Sequence, residues 1–230
     1  GLMFVFFASR SAFMATNQPT RFCLVRHGET EWNLGQRIQG HRDMPLNATG
    51  LAQAQALAEG LAGQVFAAIY CSDLLRARQT AEPLALRLGM PLNFEQELRE
   101  RNFGCCEGQT YEEIMAGDAV VAQGLASRQP DFVLPGGESL VQHLARVERC
   151  FSRLAAGHAG ECIAVITHGG VLDLVYRRAR GVPIGRPRDF PLPNASVNWL
   201  TIDRHYWLID EWGNTEHLGE QAPLNFVVRI

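Results

Sequence analysis

Lysine is absent from the chain: all 21 basic residues are arginine. A Walker-type phosphate loop needs a lysine against its phosphates, and pyridoxal phosphate needs one for its Schiff base, so both chemistries are excluded. The six cysteines, Cys23, Cys71, Cys105, Cys106, Cys150 and Cys162, include no Cys-x-x-Cys pair. That scatter argues against a disulfide framework and for reduced thiols, hence an expected cytoplasmic location. The apolar run at residues 2–8 is too short to span a bilayer and lacks the basic flank of a secretory signal, so no membrane partner is expected. Charged residues make up only 20% and the formal net charge is −3. A nucleic-acid binder would carry a basic excess, so that partner is not expected either. Internal repeats and low-complexity tracts are also missing.

What is present is an ordinary globular composition, with 47% hydrophobic residues in a chain of 230. That length can bury a sizeable core. Residues 1–20 read as an N-terminal extension and residues 21–230 as a single domain. Met14 is the expected natural start, and Gly1 reads as a cloning remnant. The exclusive use of arginine fits oxyanion binding, because its planar fork offers two parallel hydrogen bonds.

Residues 22–25 form a short apolar run that ends in Arg26-His27-Gly28-Glu29. This is the pattern of a buried strand that delivers polar groups at its C-terminal edge, where open α/β sheets bind ligands. A helix is expected from Thr49-Gly50 to about Leu61. A strand follows at 65–71, then a helix at 74–88 stopped by Gly89 and Pro91. Residues 98–108 read as a loop and 111–115 as a short helix. Ser139 is placed to cap a helix running to about Leu154. A second buried strand at 161–167 ends in His168-Gly169-Gly170, with a helix at 171–178 and strands at 196–202 and 206–209. This alternation predicts an α/β fold, a three-layer α/β/α sandwich with a mostly parallel central sheet. The weakly patterned residues 116–134 read as a small insert over the C-terminal edge of the sheet.

Two strands thus end in histidine. If they are neighbours, His27 and His168 face each other across one pocket, and the glycines beside them let a ligand approach the backbone. The run Leu24-Val25-Arg26-His27-Gly28-Glu29-Thr30 resembles the signature of the histidine phosphatase superfamily, the phosphoglycerate mutase-like group. The likeness continues through Trp32-Asn33, Arg37-Ile38-Gln39-Gly40, residues 72–81 around Arg76, residues 98–108 around Glu100, and Thr167-His168-Gly169-Gly170. Four motifs in the right order carry far more weight than one Arg-His-Gly triplet.

The resemblance implies a role for each matched residue. A phosphomonoester carries about two negative charges near neutral pH, so a nucleophile can approach it only among cations. Arg26 and Arg76 are the expected clamp, with Asn33 and His168 as further donors. His168 is expected to add charge as an imidazolium. Gln39, Gly40 and Gly169 are expected to line the phosphate loop. His27 is the expected nucleophile, forming a phosphohistidine. Glu100 is the expected general acid and base, with Glu107 as its rival. Asn194 either approaches the site or simply forms a turn.

The implied reaction is metal-independent hydrolysis of a small phosphorylated metabolite. Glu107-Gly108-Gln109-Thr110 resembles the phosphatase branch, and the insert carries a single arginine, Arg128, where a mutase usually needs more cations. Mutase-type phosphoryl transfer is the alternative. A non-catalytic protein that binds phosphorylated ligands is the alternative from another class. No cofactor and no metal are expected, since His41, His143, His158, His205 and His217 lack metal-ligand spacing. Cys106 stands where relatives often carry tryptophan, which predicts a wider pocket. The cluster Arg177, Arg178, Arg180, Arg186 and Arg188 reads as a solvated face or a homodimer contact, with a cationic mouth for the site as the functional alternative.

Overall fold

A computed structural model describes residues 18–223 of the chain. The apolar run at 2–8 and the expected start at Met14 lie outside the described residues. The apolar run before His27 forms β1 (Thr20–Arg26). Thr30 caps the short α1 (Glu31–Leu34), and Asn47 caps α2 (Ala48–Gly60). Next come β2 (Ala68–Cys71) and α3 (Leu75–Leu88), which ends at Gly89 in the left-handed region. Pro83 lies inside α3, yet the helix continues, because Ala77, Ala81, Leu84 and Ala85 bury against the sheet. A three-residue strand, β3 (Leu92–Phe94), was not foreseen; with two of its residues exposed it shows no apolar pattern.

The expected short helix forms as α4 (Tyr111–Met115), and the insert after it contains α5 (Ala119–Ala126). Ser139 caps α6 (Leu140–Gly157) through a reciprocal bond pair with Gln142. Then follow β4 (Cys162–Thr167), α7 (Gly169–Arg180), β5 (Val197–Asp203) and β6 (Tyr206–Asn214).

The sheet order is β3-β2-β4-β1-β5-β6. Strands β1 to β4 pair in parallel, and β5 and β6 pair antiparallel at one side. The two-residue period of the strands sorts the core into layers. Phe22, Leu24, Ile163 and Val165 face α6 and α7, among Val147, Phe151, Leu172 and Val175. Cys23, Val25, Ala164 and Ile166 face the α2 and α3 side, with Leu57, Ala81 and Leu84. Each large side chain removed from water in this way contributes about 1.5–3 kcal/mol. The predicted three-layer sandwich and mostly parallel sheet are therefore what the chain forms.

A separate small core, Ile38, Cys106, Ile114, Leu125 and Leu134, lies beneath the insert. It fixes α4 and α5 beside the C-terminal edge of the sheet. Strands β1 and β4 are neighbours in the middle of the sheet, with Arg26 opposite Thr167. Both histidines therefore emerge at the same edge.

Candidate active site

His27 follows the last residue of β1. Its backbone N–H bonds to the Thr167 carbonyl at 2.9 Å, which holds the two strand ends together. The ring Nδ1 lies 2.7 Å from the Gly28 carbonyl oxygen. A carbonyl can only accept, so Nδ1 carries the proton and Nε2 of the neutral ring keeps its lone pair. Burial, with Arg76 and Arg26 beside it, holds the His27 pKa well below the usual histidine value. The ring is therefore neutral at physiological pH.

His168 packs against His27, with ring centroids 5.2 Å apart. It is fully buried and forms no part of the cleft wall. Its Nε2 lies 2.7 Å from the Ser72 hydroxyl, while Nδ1 is buried without a partner. Burial and the charge of Arg76 also push its pKa well down. The expected imidazolium is therefore corrected: in this dry, cationic setting the ring of His168 is neutral.

The two arginines are held by backbone carbonyls. Arg26 donates from Nη1 to Leu192, and Arg76 donates to Gly40 and Arg42 at 2.7 Å each. The Nε of each is buried without a partner. Burial lowers both pKa values to about 10, so both stay charged near neutrality. Arg78, by contrast, pairs with Glu82 on the surface of α3.

Glu100 lines the same cleft. Its carboxylate accepts the N–H groups of Arg101 at 2.7 Å and Gly170 at 2.9 Å. The glycine pair after His168 leaves room for the side chains of the site. A Cβ at Gly170 would lie 2.0 Å from the Glu100 carboxylate, and one at Gly169 would lie 3.2 Å from the Arg26 guanidinium. The rival Glu107 does not line the cleft. It lies under Gly40 and accepts the N–H groups of His41 and Phe103. Gly40 has φ +53, and a Cβ there would overlap Glu107 at 2.2 Å.

Asn33 and Gln39 also line the cleft. The Asn33 Oδ1 accepts from the Thr30 and Asn194 N–H groups, which turns its amide Nδ2 away from protein partners. Gln39 bonds to the Thr30 hydroxyl at 2.8 Å. Asn194 donates to the His27 and Gly28 carbonyls and is a brace behind the site rather than part of its wall. Cys106 is buried in the small core beneath the insert, with its thiol pushed up to about 12 by burial. It does not line the cleft, so the wider pocket expected from it does not follow.

The cleft encloses about 880 Å³, counting space open to solvent. Besides the predicted residues it is walled by Trp32, Phe103, Leu140 and Leu174, and by Arg37, Arg101, Arg128, His143, Asp173 and Arg188. His143 is fully buried and its Nε2 has no partner. The expected solvated arginine face is split in two. Arg178 pairs with Glu148 at the surface, but Arg177 is buried on Asp173 and Arg188 reaches the cleft. Among the described residues one group has metal-ligating side chains close together, Glu95, Glu97 and Cys150, and it lies outside the cleft wall. Its carboxylates are paired with Arg149 and Arg153. No helix among the described residues is long and apolar enough to cross a membrane.

The six-stranded, mostly parallel sheet with its helices and the site at one edge match the fold of phosphoglycerate mutase-like structures. The family model of the histidine phosphatase superfamily (branch 1) matches residues 22–215, and the chain belongs to that superfamily. It is 40% identical over 205 residues to phosphoglycerate mutase-like protein 4 of Arabidopsis thaliana, covering 87% of this chain and 88% of that one. It is 38% identical over 207 residues to a metal-independent phosphoserine phosphatase of the same plant, covering 88% and 85%. Among solved structures, YhfR of Bacillus stearothermophilus superposes with a TM-score of 0.79 at 30% identity, over 86% of this chain and 99% of that one.

Proposed function

We propose that this chain hydrolyses phosphomonoesters without a metal, through a phosphohistidine on His27. The observation that carries this reading is the bond from His27 Nδ1 to the Gly28 carbonyl, which leaves Nε2 unprotonated beside Arg26 and Arg76. In the first step the Nε2 lone pair attacks phosphorus. The bond from phosphorus to the leaving oxygen breaks, and that oxygen takes its electron pair and a proton from Glu100. In the second step Glu100 takes a proton from water, and water oxygen attacks the phosphohistidine. The N–P bond breaks, its electron pair returns to Nε2, and inorganic phosphate leaves. Arg26, Arg76 and the Asn33 amide hold the phosphoryl oxygens and offset the charge of the transition state. His168 packs against His27 behind the cleft wall, and its bond to Ser72 holds the pair of rings in place. The cleft has room for a small phosphorylated metabolite, and the name of the 38% identical relative supports hydrolysis of a phosphorylated amino acid.

Mutase-type transfer stays as the second reading for a specific reason. The insert supplies only Arg128, but Arg37, Arg101 and Arg188 join it in the cleft from other segments. The deciding experiment is hydrolysis of an aryl phosphate with a chelator present, wild type beside His27→Ala. Activity that survives chelation and is lost in the variant supports the proposal. Activity abolished by chelation overturns it. Phosphate recovered on an added phosphoglycerate instead of in solution selects the mutase reading.

A further inference from the structure

The far wall of the cleft carries positive charge that the steps at His27 do not use. Arg128 follows α5, and Arg188 lies between α7 and β5; both line the cleft with Asp173 of α7. The Asp173 carboxylate takes the Nε groups of Arg177 at 2.8 Å and Arg188 at 2.9 Å, and Nη2 of Arg128 lies 3.9 Å away. One carboxylate therefore faces three guanidiniums. These side chains are well buried, at 5% exposure for Asp173, 10% for Arg128, 14% for Arg188 and 1% for Arg177. A cation left uncompensated in such surroundings costs several kcal/mol.

Several donors of the group have no acceptor. Arg128 Nε and Arg177 Nη2 are buried without a partner. Among the described residues Arg188 bonds only through its Nε. Arg177 spends Nη1 on the Pro183 and Arg186 carbonyls, so it acts as a post for Asp173 and lies behind the wall. Arg128 also holds φ at +48, a backbone region a non-glycine residue rarely occupies, where the chain turns after α5. The wall is continuous with the His27 end, since Arg128, Asp173 and Arg188 line the same cleft as Arg26 and His27. Between the two ends Trp32, Phe103, Leu140 and Leu174 supply apolar surface.

We propose that Arg128 and Arg188, held in place by Asp173, form a second anion site, which takes a carboxylate or second phosphate at the far end of a phosphorylated substrate. This rests on the reading of His27 as the phosphoryl-accepting end. A purely structural ion cluster that ties the insert to α7 is the competing explanation.

Two substrate pairs separate these ideas. Phosphoserine and phosphoethanolamine differ by one carboxylate. Propane-1,3-diol bisphosphate and propyl phosphate differ by one phosphate. A hydrogen-bonded ion contact predicts a kcat/KM preference of about tenfold or more for the acidic member of at least one pair. The pair that shows it identifies the anion. The preference should fall to about twofold or less in Arg128→Gln and Arg188→Gln, while Arg128→Lys, which keeps the charge and fold, should retain part of it. Equal use of both members of both pairs by the wild type overturns the second site, as does a preference unchanged in the Gln variants. Calorimetric Kd values for the same compounds give a readout that needs no turnover. No hydrolysis together with a preserved Kd preference would end the phosphatase reading and leave the second site standing. Hydrolysis without any preference would do the reverse.

Discussion

The two ends of the cleft are built from different kinds of bond. At the His27 end the nucleophile, the clamp and the carboxylate are each held by backbone. His27 bonds to Gly28, Arg26 to Leu192, Arg76 to Gly40 and Arg42, and Glu100 to Arg101 and Gly170. At the far end three arginines share the single carboxylate of Asp173, in addition to the carbonyl bonds that Arg128 makes to Ile184 and Arg177 makes to Pro183 and Arg186. Backbone groups come with the fold and do not change when a neighbouring side chain is replaced. A shared carboxylate is a single point of failure. The near end should therefore lose its chemistry only when a reacting group is changed. The far end should lose its organisation when one supporting residue is changed.

The largest effect belongs to the near end. His27→Ala should lower kcat/KM for any phosphomonoester by about 10⁴-fold or more. Its fold should persist, as read by the urea midpoint. Glu100→Gln should cost about 10²–10⁴-fold with an alkyl phosphate. The loss should be much smaller with an aryl phosphate whose leaving group needs no proton. Equal losses on both would contradict its role as an acid.

Asp173→Asn addresses the far end. It leaves three buried guanidiniums without their anion, and it should destabilise the protein by about 3–5 kcal/mol in urea titrations. A change under about 1 kcal/mol would show that the cluster is not held by Asp173.

Acid compares the two ends in one experiment. Burial holds His27, His168 and His143 well below the usual histidine pKa. As pH falls below about 6.5 the unfolded chain takes up these protons while the folded protein does not. Stability that is complete above that pH is therefore lost on acidification, by up to about 1.4 kcal/mol per pH unit for each histidine. His143→Leu should remove at most about one third of that slope, because His27, His168 and the partly buried His217 contribute the rest. A slope unchanged by that substitution would show that His143 is charged in the folded protein.

The smallest effect is at Gly170. A methyl group there displaces the flexible end of Glu100, not the backbone, so Gly170→Ala should lower kcat by about tenfold with little change in stability.

The same contrast explains what could be read from the sequence. The near end was legible because its partners sit beside one another in the chain. Arg26, His27 and Gly28 follow one buried strand, and His168, Gly169 and Gly170 follow another. Glu100 is preferred to Glu107 on motif position, and the structure places Glu100 in the cleft wall and Glu107 beneath Gly40 as a brace. The far end was illegible because Arg128, Asp173 and Arg188 come from three segments with no local pattern. A surface arginine and a buried one look alike in sequence, which is why the cluster after residue 176 was read as one face. His143 was missed for a similar reason: one polar residue on an amphipathic helix does not reveal that it closes a cavity. The charge expected on His168 failed because burial is a property of the assembled site. In the fold, both histidine-tipped strands and the core helices followed from periodicity, whereas β3 and α5 gave no such signal.

The central claim is that phosphorus is transferred to Nε2 of His27. Its most direct test is rapid acid-free quenching of the wild type during turnover of a radiolabelled phosphomonoester, followed by peptide mapping. The predicted result is a label on the peptide carrying His27, stable to alkali and lost in acid, and absent from His27→Ala. A label that survives acid, sits on another peptide, or persists in His27→Ala would contradict it.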